Sequence, residues 1–202
     1  MIKAGSKDKI LDAAKRLFGE VGYAETTYKK IARDAGVADG LIAHHFGSKE
    51  NLFMEVEKKI LLELLEKLDE SIYYASDGLS AVINFCKCML KFSAEKNNGY
   101  ITLLRCSPFI PPQTTTNTDA VIQACDGVVR KMRECIKRGM DDGTIRRDDP
   151  ETMANIIFAM IIGATRSYLL NRENLLSLNC DENFYPEVIR FLEGNLAAGS
   201  NG

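Results

Sequence analysis

Apolar residues recur at three- and four-residue spacing along most of the chain, a period that predicts α-helices and not strands. The first stripe predicts a helix over about 6–21, with Ser6 as its N-cap and Gly22 as the residue that ends it. No segment shows the two-residue alternation of a half-buried strand, so the predicted fold class is all-α. The apolar positions of the first stripe are Ile10, Ala13, Leu17, Phe18 and Val21.

Two short helices are predicted next, on either side of the tight turn Ala35-Gly36-Val37. The first follows Thr26, a good N-cap, and the second covers about 38–44. A long helix then starts at Lys49, which Ser48 caps, and runs into the seventies. In the rest of the chain the pattern predicts five more helices, at about 78–96, 99–107, 118–140, 150–172 and 183–197. A proline-rich loop is predicted after the second of these five helices.

The first three helices together predict a helix-turn-helix. Two short helices around a glycine turn cannot bury their apolar faces alone, and the helix over 6–21 supplies the missing partner. The second short helix is left with one face outward, and an α-helix fits the major groove of B-DNA. We therefore divide the chain into a DNA-binding head, residues 1–50, and a helical body, residues 51–202.

Charge and hydropathy limit the possible partners. The net charge of the chain is −2, but residues 1–50 hold nine Lys and Arg against seven Asp and Glu, whereas residues 51–202 hold 17 against 21. The head is mildly basic, and a dimer would present two copies of it on one face.

No apolar run reaches the roughly 18 residues of a membrane span, and the N-terminus lacks a signal-peptide pattern. A cytoplasmic protein with no membrane partner is expected.

Polar residues at two helix starts suit the DNA backbone. Thr27, Tyr28 and Lys29 stand at the start of the second helix, where hydroxyl and ammonium groups can contact phosphate oxygens. Lys49 stands at the start of the fourth helix, whose backbone N–H groups also favour an anion. The sequence therefore predicts phosphate contacts on both sides of the outward-facing short helix.

The head resembles that of the tetracycline-repressor (TetR) family of bacterial regulators over about its first 55 residues. Each matching fragment is short, but their combination in this order is highly specific. In the body only the helical layout matches, with the turn Asp142–Glu151 leading into the penultimate helix. The matching stretches are Ile10–Phe18, Gly22-Tyr23, Thr26-Thr27, Ile31-Ala32, Ala35-Gly36-Val37, Gly40, His44-His45-Phe46, Ser48-Lys49-Glu50 and Leu52-Phe53.

The resemblance implies an all-helical homodimer that binds a palindromic double-stranded DNA operator, usually as a repressor, and is released when an unidentified small molecule enters the body. The chain departs from the family at Asp39, Leu41 and Ala43. A carboxylate at Asp39 would repel phosphate or accept a hydrogen bond from a cytosine amino group, and Ala43 removes a tyrosine that commonly touches phosphate. The expected DNA contacts and their supports are Thr26, Thr27, Tyr28, Lys29, Ala38, Asp39, Gly40, Leu41, His44, His45 and Lys49.

Two sets of residues in the body carry further expectations. In the family the last two long helices usually form the four-helix bundle of the dimer, and small and apolar residues there favour the same arrangement, with an internal core as the alternative. The predicted interface residues are Ala159, Gly163, Ile189 and Leu192. Polar groups within apolar helices indicate a pocket for an anionic or amphipathic effector, or else ion pairs and ordinary packing. The predicted pocket residues are Phe85, Met89, Arg105, Cys106, Phe109, Phe158 and Arg166.

Other functions are weighed on particular residues. Both histidines, His44 and His45, lie in the head, so the body has none for a catalytic triad, a general base or a zinc site, and an enzyme is not expected. The six cysteines form no Cys-x-x-Cys pair and are expected to be reduced and packed, with a thiol- or metal-responsive regulator as the alternative. A protein-binding adaptor built on the same helix-turn-helix is the alternative of a different class. No cofactor or resident metal is expected.

Overall fold

The computed structural model describes residues 5–95, 118–172, 180 and 183–199. Within these ranges the chain forms eight α-helices and an isolated antiparallel bridge between Ile145 and Ala197, but no strand, which confirms the predicted all-α fold class. The helix predicted at 99–107 and the proline-rich loop after it lie outside the described residues. The helices are α1 Ser6–Glu25, α2 Tyr28–Ala35, α3 Asp39–Phe46, α4 Lys49–Tyr73, α5 Gly78–Ala94, α6 Thr118–Asp141, α7 Pro150–Arg172 and α8 Phe184–Leu196.

Helix α1 differs from its prediction at both ends. Gly5 is the N-cap, and Ser6, the predicted cap, is the first helical residue. Gly22 leaves helical geometry, with φ 84° and ψ 169°, before the element continues to Glu25. A side chain would be strained at this φ, which is why the interruption falls on a glycine. The helix is therefore interrupted at Gly22, as predicted, but its last residue is Glu25 and not Val21.

The chain groups into two compact units. The first comprises Met1–Glu63 with Glu95–Cys125, and the second comprises Leu64–Ala94 with Asp126–Gly202. Helix α4 starts in the first unit and ends in the second, so the units do not coincide with the segments 1–50 and 51–202. The division of the chain by function, into a DNA-binding head and a body, stays a prediction.

A cluster of aromatic side chains forms part of the core of the first unit, where α1 packs against α4. The ring centroid of Phe18 lies 5.6 Å from that of Tyr23 and 5.2 Å from that of Phe53. Phe18 and Phe53 are fully buried, and aromatic pairs at this separation add stability beyond the burial of their surface. The other apolar residues of this core include Ile10, Ala13, Ala14, Ile31, Ala32, Ile42, Leu52, Val56 and Ile60.

Helix α5 packs against both α7 and α8 in the second unit. Its buried apolar residues include Val82, Phe85, Cys86, Met89 and Phe92. A helix that is covered on most sides needs apolar residues around most of its circumference, and this composition explains why its sequence shows a weaker amphipathic pattern than α2.

The start of α5 is held by residues that are distant in sequence. A Cβ atom on Gly78 would lie 2.0 Å from the backbone nitrogen of Gly139, so a larger residue at position 78 would collide with α6. The Asp142 Oδ2 atom accepts a hydrogen bond from the backbone N–H of Gly78 at 2.7 Å, and the Thr144 Oγ1 atom accepts one from Leu79 at 3.1 Å. The turn after α6 therefore caps α5.

Candidate nucleic-acid interface

Helices α2 and α3 form the predicted helix-turn-helix. Thr27 is the N-cap of α2, and its side-chain oxygen accepts a hydrogen bond from the backbone N–H of Lys30 at 3.3 Å. Gly36 ends α2 in the left-handed conformation, with φ 66° and ψ 40°, as expected for a glycine in this turn. Beyond the turn, Ile42 and Phe46 are buried. These two anchors determine which face of α3 points outward.

The outward face of α3 consists of small and polar residues. At about 100° per residue, its members fall within one sector about 140° wide, away from the fully buried Ile42. All members of this face are exposed, so they are the side chains that the floor of a major groove would meet. We call this face the recognition strip, and it comprises Asp39, Gly40, Ala43 and His44.

Two side chains of the recognition strip can form hydrogen bonds with bases. Asp39 accepts when ionised, and His44 donates or accepts according to its tautomer. Asp39 makes no hydrogen bond or ion pair with any residue that the structure describes, and the ring of His44 lies 5.5 Å from that of His45. The strip contains no lysine or arginine. At its edges, exposed Ala38 and half-buried Leu41 add apolar surface.

The two adjacent histidines have different surroundings. The Nε2 atom of His45 lies 3.0 Å from the Oγ atom of Ser6, so a hydrogen bond ties this ring to the first residue of α1. Successive helical residues diverge by about 100°, which leaves His44 on the recognition strip. We therefore expect His44 to meet DNA and His45 to support the position of α3, and both roles stay predictions.

Polar residues at the start of α2 divide into a support and two candidate contacts. Thr26 is fully buried, and its hydroxyl donates to the carbonyl oxygen of Gly22 at 2.7 Å, so it supports the corner between α1 and α2 and does not itself reach phosphate. Burial, and to a lesser extent the charge of Glu50, raises the pKa of the Tyr28 phenol. The Tyr28 hydroxyl therefore remains a donor for phosphate, and exposed Lys29 follows it.

Lys49, at the start of α4, is positioned by Tyr23. The Lys49 Nζ atom lies 4.3 Å from the centroid of the Tyr23 ring and 3.4 Å from the carbonyl oxygen of Ala24. The Tyr23 hydroxyl donates to the Glu50 Oε1 atom at 2.8 Å. The pKa of Glu50 is lowered, first by a backbone hydrogen bond and then by the one from Tyr23. A positioned ammonium group loses less conformational entropy when it binds a phosphate. In the sequence Tyr23 stands out only within the family-matching stretch Gly22-Tyr23, so its positioning role was missed.

Only some of the residues predicted to line an effector pocket are among those that the structure describes. Phe85 and Met89 are buried in α5, and the Phe85 ring stands edge-on to that of Phe158 in α7, with 6.0 Å between centroids. Arg166 is exposed, so in the single chain its side chain faces solvent and not an enclosed pocket. The predicted pocket residues outside the described ranges are Arg105, Cys106 and Phe109.

A hydroxyl cluster between α5, α7 and α8 was not predicted. The Ser93 Oγ atom lies 3.3 Å from both the Thr165 Oγ1 atom and the Tyr185 hydroxyl, and Ser93 and Thr165 are buried. Burial is the main reason that the pKa of the Tyr185 phenol is raised. The sequence signal was a serine and a threonine within otherwise apolar helices, which need hydrogen-bond partners once they are buried.

The predicted dimer residues divide between two faces of the second unit. Ala159 and Gly163 of α7 are exposed, as an interface between two chains requires. Ile189 and Leu192 of α8 are 7% and 3% exposed, so their side chains pack inside the single chain. Other apolar residues of these helices are exposed, namely Ile156, Ile162 and Phe191. An open groove of about 590 Å³ follows the same helices and is lined by Met160, Glu187, Val188, Arg190, Phe191, Gly194 and Asn195.

The described cysteines lie in several different environments, from the buried Cys86 to the exposed Cys125. Burial raises the pKa of the Cys86 thiol to about 12 and also raises the pKa of Cys135. A thiol held in its protonated form is a poor nucleophile and a poor metal ligand. Within the described ranges, no group of three His, Cys, Asp or Glu side chains could hold a metal ion.

A known protein family matches the N-terminal part of the chain. The family "Bacterial regulatory proteins, tetR family" matches residues 10–56. The HTH-type transcriptional repressor AcnR of Corynebacterium glutamicum is 36% identical over 66 residues, which are 33% of this chain and 35% of AcnR. The match to AcnR thus spans about a third of the length of that relative, and the family match at residues 10–56 covers the predicted helix-turn-helix.

Two further comparisons extend through the rest of the chain. The fatty acid metabolism regulator protein of Bacillus subtilis is 25% identical over 167 residues, which are 81% of this chain and 83% of that protein. The crystal structure of the transcriptional regulator FadR from Bacillus subtilis in complex with stearoyl-CoA superposes with a TM-score of 0.74 at 20% identity, covering 93% of this chain and 98% of that one. The second likeness shows that this chain shares the fold of that protein.

Proposed function

Because residues 10–56 match the tetR family of bacterial regulatory proteins, we propose that the chain is a regulator of this family: a cytoplasmic homodimeric repressor that binds a palindromic operator and leaves it when a small molecule binds the second unit. The observation that carries this proposal is the recognition strip. Its four residues are exposed on α3, and side chains of the kind that phosphate oxygens bind stand on other elements of the same unit. A helix presented in this way fits the major groove.

The phosphate contacts that we propose come from α2 and from the start of α4. The Tyr28 hydroxyl, the exposed Lys29 and the positioned Lys49 are a donor and two cations of the kind that phosphate oxygens bind. Backbone contacts of this kind determine the position of the protein on the duplex but carry no sequence information. Sequence preference must therefore come from α3.

We propose that a second copy of the chain covers the exposed apolar face of α7 and α8. Helix α7 is long enough and apolar enough to cross a bilayer, and the single chain buries only 33% of an 18-residue apolar stretch within it. The exposed Ala159 and Gly163 permit close approach of a partner helix. A two-fold pair of heads is also what a palindromic operator requires.

The effector that we propose is amphipathic. The Phe85–Phe158 contact supplies apolar side chains, and the Ser93–Thr165–Tyr185 cluster supplies hydroxyl groups in the same unit. Pockets for small molecules combine these two ingredients. Acyl-CoA thioesters are the first class to test, because the similar FadR structure from Bacillus subtilis is a complex with stearoyl-CoA.

The proposal is tested by fluorescence anisotropy with the full-length protein and labelled DNA from upstream of its own gene. Binding should prefer that DNA over a scrambled duplex and weaken steeply between about 50 and 200 mM salt. Lys49→Ala should weaken binding to all sequences and reduce the salt slope by roughly 0.9 per chain, as expected for one lost phosphate contact. Lys91→Ala, which removes an exposed lysine from α5, is the matched control and should leave the slope unchanged. Binding without salt dependence or sequence preference would favour the protein-binding adaptor.

The same titration with stearoyl-CoA tests release. If this effector class is correct, stearoyl-CoA weakens DNA binding, and operator DNA weakens stearoyl-CoA binding by the same factor, because coupling between two sites is reciprocal. No change in either affinity would reject the acyl-CoA class while operator binding still stands.

A further inference from the structure

We propose that Asp39 selects a cytosine in each half of the operator through the exocyclic amino group of that base. The inference rests on the proposed operator binding and adds the identity of a base that the recognition strip reads. Asp39 is the first residue of α3, it is exposed, and it has no hydrogen-bond or ion-pair partner among the described residues. In helix-turn-helix proteins the residues that contact base edges lie near the start of the recognition helix.

A carboxylate that enters the major groove must find a hydrogen-bond donor there. It approaches a phosphate backbone that repels it, and it loses water on entry, so an unpaired Asp39 would weaken binding. The first turn of a helix stabilises negative charge because its backbone N–H groups point at it. The Asp39 side chain therefore enters the groove as an acceptor that cannot donate.

The four bases meet this requirement to different extents. Cytosine presents its N4 amino group, and adenine presents its N6 amino group beside the N7 acceptor, whereas guanine presents N7 and O6 and thymine presents O4. An ionised Asp39 therefore pairs best with cytosine, faces an unfavourable N7 atom at adenine, and is repelled by guanine and thymine. The expected order of preference at this position is cytosine, then adenine, then the other two bases.

The rest of the recognition strip does not compete for this base pair. Gly40 and Ala43 have no polar side-chain atoms, and the strip lacks the arginine or lysine that most often reads guanine. His44 lies five residues further along, roughly 7.5 Å along the helix axis, which corresponds to about two base-pair steps of 3.4 Å. Asp39 thus acts as the specificity-determining residue at its own base pair, and His44 reaches a different one.

The test is a selection from a randomised double-stranded DNA library with the full-length wild-type protein and with Asp39→Asn in parallel. The wild-type motif should contain a cytosine in each half-site. The Asp39→Asn motif should contain adenine at that position and be unchanged elsewhere, because a side-chain amide pairs with N6 and N7 of adenine together. Glu20→Gln, which removes an exposed acid from α1, is the matched control and should enrich the wild-type motif.

A second measurement alters the DNA and leaves the protein intact. The selected cytosine is replaced by an analogue that lacks the 4-amino group, and the affinity is measured by anisotropy. Wild-type binding should fall about 5- to 150-fold per half-site, the range expected for one base-specific contact. Asp39→Ala should bind the two duplexes with affinities within about threefold of each other. Once the carboxylate is gone, removing the amino group that it contacts has no further effect, because the two changes remove the same contact.

The possible outcomes separate this inference from the function on which it rests. Identical motifs for wild type and Asp39→Asn, or full wild-type affinity for the amino-less cytosine, would overturn the role of Asp39 and leave operator binding in place. A wild-type selection that enriches no motif would overturn operator binding and this inference together. A shift from cytosine to adenine that is confined to one position per half-site supports both.

Discussion

The exposed face of α3 and the exposed face of α7 and α8 offer their partners different chemistry. The recognition strip carries a carboxylate, an imidazole and two small residues, whereas Ile156, Ile162 and Phe191 are 55%, 45% and 58% exposed on the other face. Base edges are recognised by donors and acceptors, but a contiguous apolar surface is stabilised by contact with other apolar surface. Exposure alone therefore does not identify an interface, and the side chains that are exposed indicate which partner it takes.

Both units have a buried core, but the chain itself leaves much of α7 uncovered. In the first unit Phe18 and Phe53 are fully buried by the chain itself. The second unit also buries aromatic side chains, Phe85 and Phe92, but the chain itself buries only 33% of an 18-residue apolar stretch of α7. We therefore expect the stability of the first unit to depend on its own packing, and the stability of the second to depend on protein concentration as well.

The largest expected effect comes from breaking the apolar face. Phe191→Asp places a charge on the exposed side of α8, where burial against a second copy would leave it unpaired. The protein should become monomeric, and operator affinity should fall about 10²- to 10⁴-fold, because two linked heads bind more tightly than one. Sedimentation velocity gives the assembly state, and anisotropy gives the affinity.

The control for this variant places the same charge on a different exposed apolar residue. Leu62 of α4 is 50% exposed, close to the exposure of Phe191, but it lies outside α7 and α8. Leu62→Asp should remain dimeric and keep its operator affinity within about threefold, since isolated exposed apolar residues are ordinary. If both variants dissociate equally, or if neither does, the dimer is not formed through α7 and α8.

The next effect concerns the aromatic core of the first unit. Phe53→Ala removes a fully buried ring that packs against Phe18 and Tyr23, and it should lower the free energy of unfolding by about 3–5 kcal/mol. Urea denaturation measures this loss, and the protein should remain dimeric in sedimentation. Leu62→Ala, a half-exposed position on the same helix, should change stability by less than about 0.5 kcal/mol. A dimer lost with Phe53→Ala would contradict the separation of the two cores.

Elements whose ends depend on neighbouring residues were predicted well from sequence. The glycine turn at Gly36, the start of α4 after Ser48 and the start of α7 at Pro150 all match the structure. In each case the signal and the group that it satisfies lie within a few residues, as when Ser48 accepts from the backbone N–H of Asn51 at 3.1 Å. Errors here are small: the cap of α2 is Thr27 and not Thr26.

Features that depend on distant residues could not be predicted in this way. Helical periodicity shows which residues share a face, but it does not show whether that face is covered by the same chain or by a second copy. This is why Ile189 and Leu192 were assigned to the dimer interface although the chain buries them itself. The same limit applies to Thr26, whose burial results from the corner between α1 and α2.

The smallest predicted effect tests one of these distant contacts, the cap that Asp142 provides for α5. Its carboxylate accepts hydrogen bonds from the Thr144 hydroxyl at 2.6 Å, the Thr144 backbone N–H at 3.0 Å and the Gly78 backbone N–H at 2.7 Å. The Thr144 hydroxyl is the main cause, and the Gly78 N–H the second, of a pKa for Asp142 below its ordinary value. Because the folded pKa lies below the unfolded one, the unfolded chain binds the proton more readily. The stabilisation is therefore present above pH about 4, the unfolded value, and is lost as the pH falls through the folded pKa.

Asp142→Asn should lower the stability slightly at pH 7 and make its decline between about pH 5 and 3 less steep, as followed by urea denaturation at each pH. Asp126→Asn, which alters an exposed acid of α6, should reproduce the wild-type slope, and an equal change in both variants would mean that net charge, and not the cap on α5, determines the acid sensitivity.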